Sequence, residues 1–172
     1  KILAVDHCYL QPDPSNAIRN SVFAFTEENN ISFYELKFQK EGALRNLIIR
    51  NTSIGQWMVT VQFAYAEPQE IEAVMAFLQA EFPVITSLNY VINQKGNDTF
   101  HDLEVVCFHG KPFIEELMED LTFQIGPKSF WRVTVSFVQN SRHQVAAERV
   151  EPEHRVQAQP VRTTEKLEPD MA

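Results

Sequence analysis

The chain has 172 residues, a formal charge of −8 and a hydrophobic fraction of 44%. Thirteen Phe, two Trp and four Tyr residues can fill a core, which excludes a wholly disordered chain. No apolar run approaches the roughly 18 residues of a membrane span, and a sequence pI near 5.1 argues against strong unaided binding to nucleic acid. Two cysteines exclude a disulfide scaffold and favour a reducing, cytoplasmic compartment.

The composition changes near residue 138. Every aromatic residue lies in residues 1–138, whereas residues 139–172 combine several prolines with mixed charges. Such a segment buries too little apolar area to offset the entropy of ordering it. We therefore expect an α+β domain over residues 1–138 and a disordered or non-native tail over residues 139–172. Because residue 1 is Lys rather than Met, we also expect the sequence to be a piece of a longer protein.

The first half of the chain predicts one helix and three strands. A short apolar run at residues 2–5 favours a strand. The segment Pro12-Asp13-Pro14-Ser15 is typical of a helix start with Asp13 as the cap, and apolar residues recur at helical spacing to about residue 28. A strand follows at residues 44–51. Strict alternation over residues 57–63 predicts a further, half-buried strand.

The second half adds one helix and several short strands. Glu67-Pro68 opens the helix, whose apolar stripe runs to Phe82 before Pro83 ends it. Further strands are predicted at residues 88–92, 103–108, 113–117, 121–125 and 131–137. The order predicts an α+β fold with two helices packed on one face of a mainly antiparallel sheet. We expect the ferredoxin-like split βαβ order, with extra short strands.

No residue pattern nominates a catalytic site. Cys107 and His109 lie two apart and should share a strand face, but no third group orients the base. A core thiol is the favoured interpretation, and a thiol enzyme stays a third hypothesis. The Gly126-Pro127-Lys128-Ser129 segment lacks the first glycine of a phosphate loop, and Pro127 removes a backbone donor. The carboxylates at residues 115–120 are typical of a solvated strand end or turn.

Four residues are candidates for contact with the phosphates of a nucleic acid. The densest basic group includes Arg45 and Arg50, and a polar loop downstream carries Lys95 and Asn97. Together they could contact phosphate groups, which position a protein on its nucleic acid. Ordinary surface charge on an acidic protein is the competing interpretation. No catalytic and no cofactor-binding residue is predicted.

Five segments of the chain occur in a recognisable order. They are Val5-Asp6-His7-Cys8, Gly42-Ala43-Leu44-Arg45-Asn46-Leu47-Ile48-Ile49-Arg50, Ile85-Thr86-Ser87-Leu88-Asn89, Asn93-Gln94-Lys95-Gly96-Asn97-Asp98-Thr99 and Leu121-Thr122-Phe123-Gln124-Ile125-Gly126-Pro127-Lys128-Ser129-Phe130. In this order they resemble the middle region of the S-adenosylmethionine-dependent RNA uracil-5-methyltransferases (RumA/TrmA type). The resemblance covers about residues 1–130.

The resemblance implies a role in forming 5-methyluridine in 23S ribosomal or transfer RNA. In that family a methyltransferase domain follows this region and carries the cofactor loop, the catalytic cysteine and the general base. RNA is therefore the implied partner and S-adenosylmethionine the implied cofactor of the intact protein, with neither the donor pocket nor the nucleophile in this chain. Many members also hold a [4Fe–4S] cluster, with three cysteine ligands in the part that precedes this region, and Cys8 matches the fourth ligand. Because a cluster needs about four thiolates, this chain alone should not hold one.

The resemblance ends after Phe130. The family continues as Ser-Phe-Phe-Gln-x-Asn, whereas here Ser129-Phe130 is followed by Trp131-Arg132-Val133-Thr134. A lost reading frame, a join to foreign sequence and a truncated relative all stay open. The alternative function is a free-standing, non-catalytic interaction or oligomerisation module. In that case the strand at residues 131–137 would be an exposed sheet edge that pairs with a second copy to form a homodimer.

Overall fold

A computed structural model describes residues 7–35 and 41–130, and within these ranges the chain forms two helices and six strands. In chain order they are α1 (Ser15–Glu28), β1 (Leu44–Asn51), β2 (Trp57–Phe63), α2 (Pro68–Glu81), β3 (Ile85–Ile92), β4 (Val105–Gly110), β5 (Ile114–Met118) and β6 (Leu121–Ile125). The predicted strand at residues 2–5, the predicted strand at residues 131–137 and the predicted tail at residues 139–172 lie outside the described residues.

Both helices pack on the same face of the main sheet. Ile18 and Val22 of α1 and Val74 and Leu78 of α2 belong to one buried cluster, together with the residues of β2 that face the helices. Their spacing of three or four residues places each set on one side of its helix. The predicted α+β fold, with two helices on one face of a mainly antiparallel sheet, is therefore confirmed.

The two helix starts are built differently. At α2, Glu67 precedes the helix, Pro68 takes its first position, and the Glu70 carboxylate accepts a hydrogen bond from the Glu67 backbone N–H at 2.8 Å. At α1 the predicted Asp13 cap is wrong, because Pro14 occupies the cap position and no side chain caps the helix. Asp13 lies one residue too far upstream and instead accepts a hydrogen bond from the Asn16 side chain at 3.2 Å.

The four-stranded sheet has the order β1-β2-β3-β4, and a separate hairpin pairs β5 with β6. Neighbours in the sheet are antiparallel except β2 and β3, which are parallel and joined through α2. A ferredoxin-like unit would place another strand between these two. The chain order of the elements thus agrees with the split unit, but the β2-α2-β3 crossover is not split.

Strand β2 is covered on both faces. Val59, Val61 and Phe63 point into the helix-side core, whereas Met58 on the opposite face packs against Ile114 and Ile125 of the hairpin. The alternation predicted a half-buried strand, yet all seven residues of β2 are buried. The hairpin and the loop after β3 supply the second cover, and neither can be deduced from the period of β2 itself.

Candidate nucleic-acid interface

The Arg45 side chain is fully buried and contacts the loop that follows β3. Its Nε donates to Asp98 Oδ1 at 3.0 Å, and its Nη1 donates to the backbone carbonyls of Asn93 at 2.8 Å and Lys95 at 2.6 Å. The guanidinium also lies over the ring of Tyr34, 4.6 Å from the ring centroid. Because the guanidinium faces the protein interior, Arg45 shapes this loop rather than presenting its charge to a phosphate.

Lys95 and Asn97 lie on the same loop, which is held by its own side chains. The buried Asn93 amide donates to the carbonyl of Asn97 at 3.1 Å, and the Asn97 Oδ1 accepts from the Thr99 hydroxyl at 2.6 Å. Lys95 Nζ contacts Asp102 Oδ1 at 2.5 Å and keeps 31% of its side chain exposed. The hydrogen bond from Lys95 is the largest cause that lowers the pKa of Asp102. We call residues 93–102 the β3–β4 loop.

Arg50 lies at the opposite end of β1 from Arg45. Its Nη1 donates to the carbonyl of Gly126, just beyond β6, at 3.1 Å. Burial lowers the pKa of this guanidinium. The structure therefore brings Arg45, Lys95 and Asn97 together at the β3–β4 loop and places Arg50 apart, as a tie between the sheet and the hairpin.

A buried carboxylate fixes the hairpin to the turn between β1 and β2. Both oxygens of Glu116 accept from the Ser53 backbone N–H, at 3.2 and 3.0 Å, and Glu116 Oε1 also accepts from the Ser53 hydroxyl. Beside it, the Glu115 backbone N–H donates to the Gln56 side chain at 2.8 Å. The prediction that residues 115–120 form a solvated end is wrong for Glu116, because the docked turn covers it completely.

A cavity of about 420 Å³ opens between β4 and the residues that follow β6. Val105, Pro112 and Pro127 form apolar walls. Its polar lining residues are Asn89, Glu104, Cys107, Lys128 and Ser129. The Oδ1 atom of Asn89 is buried and, within the described part of the chain, has no hydrogen-bond donor, while its Nδ2 donates to Ser87 Oγ at 2.9 Å.

Cys107 and His109 do not share a strand face. The pairing of β3 with β4 is irregular, so that Leu88 is opposite His109 and its neighbour Asn89 is opposite Cys107. Since consecutive strand residues point to opposite faces, Cys107 lines the cavity while His109 contacts Gln79 of α2 at 3.1 Å. Cys107 is exposed, which corrects the expectation of a core thiol, and desolvation raises its pKa. The bulge and the raised pKa both oppose a Cys–His nucleophile.

Cys8 is partly buried next to the start of α1. Its backbone N–H donates to Asn16 Oδ1 at 2.8 Å, and its carbonyl accepts from Asn16 Nδ2 at 3.2 Å. Over residues 7–35 and 41–130, no three His, Cys, Asp or Glu side chains form a group that could hold a metal ion. The described residues thus do not fit a complete [4Fe–4S] ligand set, which needs about four thiolates.

Comparisons with known proteins give a consistent relationship. No protein-family model matches the chain. An uncharacterised RNA methyltransferase of Bacteroides thetaiotaomicron is 48% identical over 135 residues, which are 77% of this chain and 30% of that protein. A second uncharacterised RNA methyltransferase, from Porphyromonas gingivalis, is 42% identical over 134 residues, 77% of this chain and 29% of the relative. Over this segment the chain is homologous to RNA methyltransferases.

The fold supports the same relationship. A crystal structure of Pyrococcus abyssi tRNA (uracil-54, C5)-methyltransferase in complex with S-adenosyl-L-homocysteine superimposes with a TM-score of 0.54 and 25% identity. The match covers 76% of this chain and 31% of the archaeal protein. The resemblance to the RNA uracil-5-methyltransferases is confirmed. The chain spans about a third of the length of the relatives that it matches.

Two features were missed from the sequence. The Glu116 anchor looked like one more member of an acidic run, and its only signal was the apolar Ile114 two residues earlier, which shares its face of β5. The cavity joins residues from β3, β4 and the segment after β6, so no local pattern could reveal it.

In addition, no helix in the described ranges is long and apolar enough to cross a bilayer.

Proposed function

We propose that this chain is the central α+β part of a cytoplasmic RNA uracil-5-methyltransferase that forms 5-methyluridine in ribosomal or transfer RNA. The observation that carries the proposal is the 48% identity to a protein named RNA methyltransferase. The fold shared with a tRNA (uracil-54, C5)-methyltransferase bound to S-adenosyl-L-homocysteine supports both the uracil target and S-adenosylmethionine as the methyl donor.

In this proposal the chain serves as a scaffold that faces the RNA. Arg45 and Asn93 hold the β3–β4 loop in one conformation, so that Lys95 and Asn97 present a cation and an amide at a fixed place. Such groups position RNA through its phosphates and sugars without reading its sequence. A preformed loop loses little entropy when it binds, which favours this use of a short polar segment.

The methyl-donor pocket and the nucleophile are proposed to lie outside this segment of the protein. The aligned region is 30% of the Bacteroides relative, which leaves most of that protein to carry the reaction. The bound donor would supply the methyl group that replaces the hydrogen on carbon 5 of the uracil. If the intact protein holds an iron–sulfur cluster, Cys8 is the proposed fourth ligand, and no step of the reaction is assigned to it.

The first experiment measures RNA binding by fluorescence anisotropy, with a labelled tRNA stem–loop, over a range of salt concentrations. We expect affinity to fall as salt rises, because phosphate contacts release counterions. Lys95→Ala should weaken binding by about threefold to tenfold and make the salt dependence shallower.

Lys111→Ala is the matched control. Like Lys95, Lys111 is paired with a carboxylate, Glu115 at 3.6 Å, but it is more exposed and lies in the turn before β5. Equal losses in the two variants would mean that charge alone matters and would count against the β3–β4 loop. Undetectable binding by the folded chain even at low salt would remove RNA contact from this segment.

Self-association stays a separate prediction. The strand proposed to pair with a second copy, residues 131–137, lies outside the described residues. Sedimentation velocity of the 172-residue chain across a hundredfold concentration range tests it. A concentration-independent monomer would discard the homodimer, whereas a shift to twice the mass would support it.

A further inference from the structure

We propose that the cavity between β4 and the end of β6 binds one unpaired nucleobase of the RNA, and that it selects bases with an exocyclic amino group. The inference rests on the proposed function for its choice of RNA as the partner. It adds a recognition site that is separate from the target uracil, since uracil has no amino group.

The size and walls of the cavity suit a nucleobase. Its volume of about 420 Å³ is within the range of small-molecule sites. Val105, Pro112 and Pro127 give it apolar sides, which suit the flat face of a base more than a hydrated ion. Proteins that bind single-stranded RNA commonly take up unstacked bases in this way, against apolar or aromatic surfaces.

The polar atoms of the cavity call for hydrogen-bond donors. The Oδ1 of Asn89 is a buried acceptor without a donor in the described part of the chain, and Glu104 adds an exposed carboxylate. Adenine, cytosine and guanine carry amino groups that donate to such acceptors. Uracil offers a single N–H between two carbonyl oxygens, so it could pair with at most one of the two acceptors and would place a carbonyl oxygen against the other.

A cation at the mouth of the cavity supplies the phosphate contact. Lys128 lines the cavity and is exposed. Glu104, which also lines the cavity, lies two residues beyond Asp102, the last residue of the β3–β4 loop. An RNA strand that contacts this loop would reach the cavity within a short length of backbone.

Cys107 provides a reporter inside the cavity. With Cys8→Ser as the background, the labelling rate of Cys107 by a disulfide reagent at about pH 8.5 measures access to the site. Oligonucleotides rA6, rC6 and rU6 carry the same backbone charge, so they differ only in the base. We expect rA6 and rC6 at equal occupancy to slow labelling by about tenfold, and rU6 to slow it by less than about twofold.

Two variants separate base selection from phosphate contact. Glu104→Gln should bring the protection of Cys107 by rA6 to within about twofold of the protection by rU6, because the amide turns one acceptor into a donor. Lys128→Ala should weaken all three oligonucleotides alike, and Lys111→Ala should change none of them.

Each outcome is decisive. If anisotropy shows that the oligonucleotides bind while the labelling rate of Cys107 stays unchanged, the cavity is not the binding site for a base. That result would contradict the cavity proposal and leave the proposed RNA interface unaffected. Equal protection by all three oligonucleotides would overturn the selectivity. Absence of RNA binding by the folded chain would overturn the proposed interface itself.

Discussion

At the scale of single residues, Arg45 anchors the β3–β4 loop, which is proposed to face RNA, from inside the protein. Arg45→Met should destabilise the chain by about 2–4 kcal/mol, because Asp98, the buried Asn93 carbonyl and the Lys95 carbonyl lose a charged donor. Urea denaturation followed by circular dichroism measures the loss. Asp98→Asn is the control and should cost clearly less than Arg45→Met, since the half-exposed amide side chain keeps an oxygen acceptor for Nε while both carbonyls keep their donor. Equal costs would contradict the anchoring role.

Asp102 gives a pH prediction at the same scale. The pKa of Asp102 is lowered chiefly by the hydrogen bond from Lys95. The contact with Lys95 is therefore fully present at pH values above the ordinary carboxyl pKa, and it is lost as the pH falls through the lowered pKa. We expect Lys95→Met to raise the Asp102 pKa towards its ordinary value in an NMR titration, while Lys111→Met leaves it unchanged. An Asp102 pKa that does not respond to Lys95→Met would show that the pair is not formed in solution.

At the scale of elements, the β5–β6 hairpin is the least independent part of the fold. A two-stranded hairpin is only marginally stable alone, and this one is held by Met58 packing and by the Glu116 contact with Ser53. Glu116→Ala should cost about 1.5–3 kcal/mol, because the backbone N–H and hydroxyl of Ser53 lose their hydrogen bonds to a charged acceptor.

Glu115→Ala, whose side chain pairs with exposed Lys111, should cost less than about 1 kcal/mol. Hydrogen exchange should show the loss in Glu116→Ala as faster exchange across β5 and β6, with the main sheet unaffected. Faster exchange spread evenly over the whole domain would contradict the local anchor.

The elements also show what sequence patterns reveal and what they leave out. The helix over Pro68–Glu81 was predicted closely, because a proline start, an apolar stripe and a proline stop act within one segment. The burial of both faces of β2 was not, since it depends on a hairpin more than fifty residues away in the sequence. The bulge that separates Cys107 from His109 also escaped prediction, because strict alternation assumes a regular ladder.

At the scale of the whole molecule, a net charge of −8 must be reconciled with an RNA partner. The lysines proposed to contact RNA are few, and one of them, Lys95, is paired with Asp102. Long-range attraction to RNA would therefore come from other parts of a longer protein, and this chain would contribute positioning and the nucleobase cavity. The region that this chain matches is about a third of each relative.

The most direct test is to exchange the segment in a longer protein. Residues 7–130 of this chain would replace the aligned segment of the Bacteroides thetaiotaomicron relative, and mass spectrometry would measure 5-methyluridine in RNA after incubation with S-adenosylmethionine. We predict that the parent and the chimera both form 5-methyluridine, and that Lys95→Ala in the chimera lowers the yield. A parent enzyme that methylates a position other than uracil carbon 5, or a folded chimera that forms no 5-methyluridine beside an active parent, would contradict the proposal.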